Sequence, residues 1–186
     1  MNLLYPKVRN FRKIIPFMLI GSVIASIYGV IHDQLSYSIS PEYFTAFKFN
    51  QFSYADFSLN DRLYVAIIGV LATWWFGAIS GWFLGRVRFL SEDFETANKD
   101  IIKGFYIIFI SVIAFGIIGG IISYINAYYF SVESFIGWER ELSTNELKNF
   151  IVVSYIHTSG YIGGLVGIIV STYMLKRKMN SGIISR

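Results

Sequence analysis

The chain contains two histidines, His32 and His157, and each stands inside or at the edge of a long uncharged stretch. Imidazole titrates nearest neutral pH of all side chains and is the commonest protein ligand of transition metals. Asp33 follows His32 directly, and Glu42 comes shortly after it. Two imidazoles and two carboxylates suit a divalent ion such as Zn, Fe or Mn. No local ligand spacing of the HExxH kind is present, so these four residues reach one ion only if the fold brings them together. The alternatives are structural: a neutral His157 hydrogen-bonded to Ser123, Asn126 or Asp33, and a solvated pair of loop carboxylates at Asp33 and Glu42. The chain has no cysteine, which excludes disulfides, thiolate metal sites and cysteine nucleophiles.

The elements that must position these residues follow from composition. Of 186 residues, 54% are hydrophobic and 18% aromatic, which points to a membrane protein. Four uncharged stretches are long enough to cross a bilayer: about 14–31, 63–85, 104–124 and 150–175. Each reads as a helix, because hydrocarbon offers backbone groups no partner outside their own helix. Four segments cannot close a barrel. The expected fold is all-α, a single four-transmembrane-helix bundle.

Orientation follows from the basic residues. The N-terminus (Lys7, Arg9, Arg12, Lys13), the middle loop (Arg86, Arg88, Lys99, Lys103) and the tail (Lys176, Arg177, Lys178, Arg186) hold 12 of them; the other two loops hold 4, Lys48, Arg62, Arg140 and Lys148. Both termini are therefore expected in the cytoplasm. The net charge of +4 is a topology signal rather than a nucleic-acid footprint. A cleaved signal peptide is the rival reading of the N-terminus, but no small-x-small site precedes His32, and a retained helix is expected.

Helix boundaries carry ordinary signals. Pro16 sits in a first turn, Asn60 and Asp61 suit the start of the second span, and Ser143 with Glu146 has capping-box spacing before the fourth. Tyr128, Tyr129 and Phe130 read as an aromatic belt. Small residues recur every fourth position: Gly21, Ala25 and Gly29; Gly69, Thr73, Gly77, Gly81 and Gly85; Gly116 and Gly120; Gly160 and Gly164. Such ladders let helix backbones approach closely. The Gly69–Gly85 ladder serves either an internal contact or a homo-oligomer. Trp74 and Trp75, near mid-span, read as space-filling opposite glycines or as the wall of a cavity.

Counting 18 residues from Ile14 to His32, and from His157 to Leu175, places both histidines about 27 Å above the inner edge. Ser123, Tyr124, Asn126 and Tyr64 fall near the same level. His32 continues the Gly29–Ala25 stripe and His157 the Gly160–Gly164 stripe, so both imidazoles are expected to face the bundle interior. Between the first two spans, Ser40-Pro41-Glu42 reads as the cap and first turn of a further helix. Tyr43, Phe44, Phe47, Phe49 and Phe52 make that segment too aromatic for a free loop. It is expected to fold over the bundle mouth or lie in the interface, bringing Glu42 above the polar layer.

The segments His32–Gln34, Tyr37, Ile39–Phe44 and Phe47–Phe52, with Tyr155–Gly164 in the last span, resemble a family of bacterial four-helix integral membrane proteins. The resemblance implies that fold and a bacterial inner membrane; it transfers no activity and no catalytic role.

Other chemistries find less support. The glycines are spaced for packing, with no phosphate-binding loop and no dinucleotide fingerprint. Ser159 beside His157 reads as a packing residue rather than a nucleophile. Bis-histidine haem ligation needs a porphyrin-sized gap, which tight glycine packing disfavours. Lys176-Arg177-Lys178 reads as an anchor at an anionic leaflet. The expectation is an inner-membrane protein with an extracytoplasmic-facing polar pocket of His32, Asp33, Glu42 and His157 that binds a divalent metal or a small polar ligand. A transport component, or an accessory or scaffold subunit with structural histidines, is the alternative.

Overall fold

The computed structural model describes residues 11–87, 94–129 and 142–184. Among these residues four helices are long and apolar enough to cross a membrane: α1 (Ile15–Ile39), α2 (Asp61–Gly85), α3 (Phe94–Tyr129) and α4 (Thr144–Ile184). All four extend beyond the uncharged stretches at one or both ends, because a helix does not end where hydrocarbon does. Of the charges that orient the chain, Lys7, Arg9, Arg88, Arg140 and Arg186 lie outside the described residues, as does Phe130 of the aromatic belt.

Local chemistry sets the helix ends. Pro16 occupies the first turn of α1, where its missing N–H goes unused. The helix runs through IHDQLSY without a break and stops at Ser40, which is extended (φ −141°, ψ 94°). Ser40 precedes Pro41, and the proline ring disfavours the α conformation in its predecessor. The Ser40 hydroxyl then accepts from the Tyr43 N–H at 3.3 Å, capping a π-helical segment, Tyr43–Lys48, that continues as one α turn, Phe49–Gln51. Asn60 caps α2, its side chain accepting from the Leu63 N–H at 3.1 Å. Glu146 accepts from the Ser143 N–H at 2.8 Å, which forms one arm of the expected capping box.

The helices pair as two close hairpins, α1 with α2 and α3 with α4, with far sparser contact between the pairs. Glycine makes the first pairing possible. A Cβ added at Gly21 would fall on the Gly77 carbonyl, and one at Gly29 on the Gly69 carbonyl. Thr73 Oγ1 reaches across to the Ala25 carbonyl at 2.8 Å. The Gly69–Gly85 ladder therefore packs against α1 of its own chain. In the second hairpin Gly163 and Gly167 admit Phe115 and Ile108 of α3, and Ser111 donates to the Gly163 carbonyl at 2.7 Å. Trp74 and Trp75 do not fill space opposite glycines: both are exposed on the outside of the bundle, and Trp75 forms the wall of a groove described below.

The buried side chains form two main clusters along the bundle. Phe17, Leu84, Ile101, Phe105, Ile168 and Leu175 hold one end. Tyr43, Phe44, Val65, Phe150 and Val153 hold the other, beneath the π-helical segment. Between them the two hairpins form a partly open cavity of about 90 Å³ whose lining includes Tyr28, Thr73, Phe109 and Tyr161, with His32, Asp33 and His157 at one end of it.

Candidate functional site

The α1 segment that begins at His32 divides its side chains between two tasks. Gln34, Tyr37 and Ser38 tie α1 to the start of α2. The Gln34 amide donates to the Arg62 carbonyl at 2.7 Å, the Arg62 guanidinium donates to the Gln34 carbonyl at 3.0 Å, and the Tyr37 hydroxyl donates to Asp61 at 2.9 Å. His32 and Asp33 turn inward and meet His157 of α4.

The His157 ring is fixed from both sides. Nδ1 lies 2.9 Å from the carbonyl of Val153, one turn earlier on the same helix. A carbonyl only accepts, so Nδ1 carries a proton. Nε2 lies 3.2 Å from Asp33 Oδ1. With Nδ1 protonated, a neutral ring presents a lone pair to a carboxylate oxygen, and two lone pairs repel at that distance. A cation must lie between them: a proton, shared with Asp33, or a metal ion. Asp33 is 3% exposed, and its second oxygen, Oδ2, is buried without a hydrogen-bond partner among the described residues. Such an atom in a protein interior is costly and calls for an explanation.

His32 completes the group. Its ring stacks on Tyr28 at 5.2 Å between centroids, with the Tyr28 hydroxyl 3.2 Å from Nδ1. It meets the His157 ring edge-on at 4.5 Å. One ligand atom from each of His32, Asp33 and His157 can be chosen so that all lie within 4.8 Å of one another. An ion bound at about 2.1 Å by tetrahedral ligands holds them about 3.4 Å apart. The Asp33–His157 pair, at 3.2 Å, is already near that spacing, and a group spread over no more than 4.8 Å closes on an ion with a shift of up to about 1.4 Å. The two rings leave no porphyrin-wide gap, so bis-histidine haem ligation does not fit.

Glu42, the fourth expected ligand, is not among the converging residues. Its carboxylate accepts from the Ser40 hydroxyl at 3.0 Å, within its own turn. The aromatic segment does fold over the polar layer: Tyr43 and Phe44 are buried, and the Tyr43 ring lies 4.8 Å from that of His157. The charge it delivers there is Lys48 rather than Glu42. Lys48 is 5% exposed and rests near the faces of Phe52 and Tyr43, at 5.4 and 6.0 Å. In a π-helix the N–H bonds the carbonyl five residues back, and Tyr43 and Lys48, five apart, come to line the same groove. Burial lowers the Lys48 pKa, and the nearby Asp33 carboxylate offsets this in part. Burial likewise raises the Tyr43 phenol, with Asp33 adding to the effect.

Ser123 hydrogen-bonds within α3, to the Gly120 carbonyl, and Asn126 is exposed; of the three partners considered for His157, the structure selects Asp33. Ser159 packs against Gly119 as a helix-contact residue. Lys48 is the residue that the charge pattern concealed, since it counts there as one of a few basic residues in a loop. The signal that would have singled it out is its setting as the one cation in the run YFTAFKFNQF. Comparison with protein-family models, with curated proteins and with solved structures finds no match.

Proposed function

We propose that this chain is a multi-pass protein of a bacterial inner membrane, with both termini cytoplasmic, that binds one divalent metal ion through His32, Asp33 and His157. The observation that carries this reading is the pairing of a tautomer-locked imidazole with a buried carboxylate. Val153 holds the proton on Nδ1 and directs Nε2 at Asp33, while Asp33 Oδ2 has no partner among the described residues. Metal-bound histidines commonly donate their other N–H to a carbonyl in this way, which fixes the ring and raises its basicity. Two imidazoles and one carboxylate leave a coordination position open, the pattern of Zn sites with three protein ligands and of non-haem Fe(II) sites. His32, Asp33 and His157 also line the cavity between the hairpins, whose volume of about 90 Å³ exceeds what a single water needs; an ion held by them would supply a Lewis acid beside that cavity.

The test is metal content. Purified chain is incubated with Zn²⁺, Mn²⁺ or anaerobic Fe²⁺, desalted and assayed by plasma mass spectrometry. Wild type is expected to retain about one ion per chain, with Asp33→Asn and His157→Ala each retaining less than a tenth of that. Metal should also raise the thermal midpoint of wild type alone, since a ligand at 100 times its Kd adds about 2.7 kcal/mol. Wild type that holds no metal and whose midpoint does not move sinks the metal reading. It would leave His157–Asp33 as a proton-sharing tie between α1 and α4, as expected of an accessory or transport subunit with structural histidines.

A further inference from the structure

Lys48 opens a question that the metal reading leaves aside. Its ammonium is buried, and among the described residues it has no hydrogen-bonding or ion-pair partner, only the two aromatic rings. Asp33 is the carboxylate that acts on it, yet it lies beyond ion-pair distance and is already turned to His157, and a buried charge without a direct partner is expensive. The groove into which it projects measures about 680 Å³ and is amphipathic along its length. At one end, beside Lys48, stand Gln51, Ser154 and Thr158. Toward the other end the walls are Trp75, Ile79 and Leu165, all of them apolar. From Ser154 to Leu165 along α4 the groove extends about 16 Å at 1.5 Å per residue. Trp75, Ile79 and Leu165 are also exposed on the outside of the bundle, so the groove opens sideways, toward the surrounding lipid if the helices cross a membrane.

We propose that this groove binds one phospholipid with an anionic head group: its phosphate on Lys48 and one acyl chain along Trp75, Ile79 and Leu165. The inference rests on the membrane reading but not on the metal. Charge complementarity selects an anion for the polar end. The several donors around Lys48 suit the several oxygens of a phosphate better than a single carboxylate. Depth agrees as well: Lys48 and His157 line the same groove, and His157 stands about 27 Å from the opposite edge of the hydrocarbon, just beneath the head-group layer. The volume takes one chain and a phosphate and leaves the second chain in the bilayer.

The experiment uses full-length chain reconstituted in vesicles of phosphatidylcholine with a quarter phosphatidylglycerol, extracted in mild detergent with EDTA present, and examined by native mass spectrometry. Wild type should carry about one phosphatidylglycerol per chain in preference to phosphatidylcholine. Lys48→Gln should lower the retained phosphatidylglycerol at least about fivefold, with Lys48→Arg keeping most of it. Circular dichroism identical to wild type shows that Lys48→Gln is folded; should it not fold, Leu165→Trp, which fills the apolar end, is expected to displace the lipid instead. Equal retention of phosphatidylcholine, or equal retention by Lys48→Gln, overturns the proposal. So does an equal loss in Lys148→Gln, because Lys148 lies over the Tyr128 ring, outside the groove. Metal content of Lys48→Gln should match wild type, so lipid and metal readings fail independently.

Discussion

The sharpest test of the His157–Asp33 pair is a double-mutant cycle measured without metal. In wild type, His157→Ala removes the one hydrogen-bond partner that Asp33 Oδ1 has among the described residues, where Oδ2 has none. A carboxylate that is 3% exposed is then left without compensation. Breaking a buried pair in this way costs about 3–5 kcal/mol. In an Asp33→Asn background no charge remains to be stranded, and His157→Ala then costs a buried amide its partner, about 1–3 kcal/mol. The difference predicts a coupling energy of about 2 kcal/mol, toward the upper part of the range for residues in contact. The measurement is unfolding of the purified chain in mixed micelles by added dodecyl sulfate, followed by circular dichroism, in EDTA at pH 7.5. A coupling below about 0.5 kcal/mol would refute the reasoning, because two groups sharing one buried proton cannot be energetically independent.

Two further outcomes follow from the same geometry. Gly29→Ala drives a methyl group into the Gly69 backbone, which cannot yield without parting α1 from α2, whereas at Gly160 the nearest atom to an added Cβ is Val112 Cγ1 at 3.8 Å; unfolding in micelles should show a loss of about 1–3 kcal/mol for the first and less than about 0.5 for the second, and equal losses would contradict the packing described. Burial holds the Lys48 pKa below the ordinary 10.5, so its charge destabilises the fold at pH values below both, and this cost fades as pH rises toward 10.5; phosphatidylglycerol retention should fall as pH rises through the lowered value, before exposed lysines discharge, and retention flat to pH 10.5 would argue against an ammonium–phosphate contact.

The four long apolar helices and the shared level of His32 and His157 were legible because both depend on chain arithmetic: uncharged length, and a fixed rise per residue. Facing was legible too, since a glycine stripe must lie at a helix contact, and His32 and His157 continue such stripes. That α1 and α4 meet at the histidines while each packs mainly on another partner was not legible, because small-residue ladders advertise close approach without naming the neighbour. That Glu42 stands apart from the converging residues has a local reason. Its side chain is satisfied by Ser40 two residues back, and a short hydrogen bond of that kind competes with any long-range role. Lys48 was missed because the π-helical segment sets the direction of its side chain, and no local residue preference forecasts a π turn. Trp74 and Trp75 were misread as a pair: they are neighbours on a helix, so only Trp75 turns toward the groove.

The seam between the two hairpins has a consequence for how the protein is made. Within each hairpin the backbones touch through glycine. Across the seam the ties are a few side chains, among them His157 with Asp33, Phe76 beside Gly164, and the Tyr161 hydroxyl donating to the Ala72 carbonyl at 3.4 Å. Each hairpin can thus enter a bilayer and zip closed as a unit, while docking of the two halves waits on a small set of polar and aromatic contacts around the histidines. The candidate site is then the fastener of a two-part assembly, and an ion captured there would report that the second half has arrived and seated correctly.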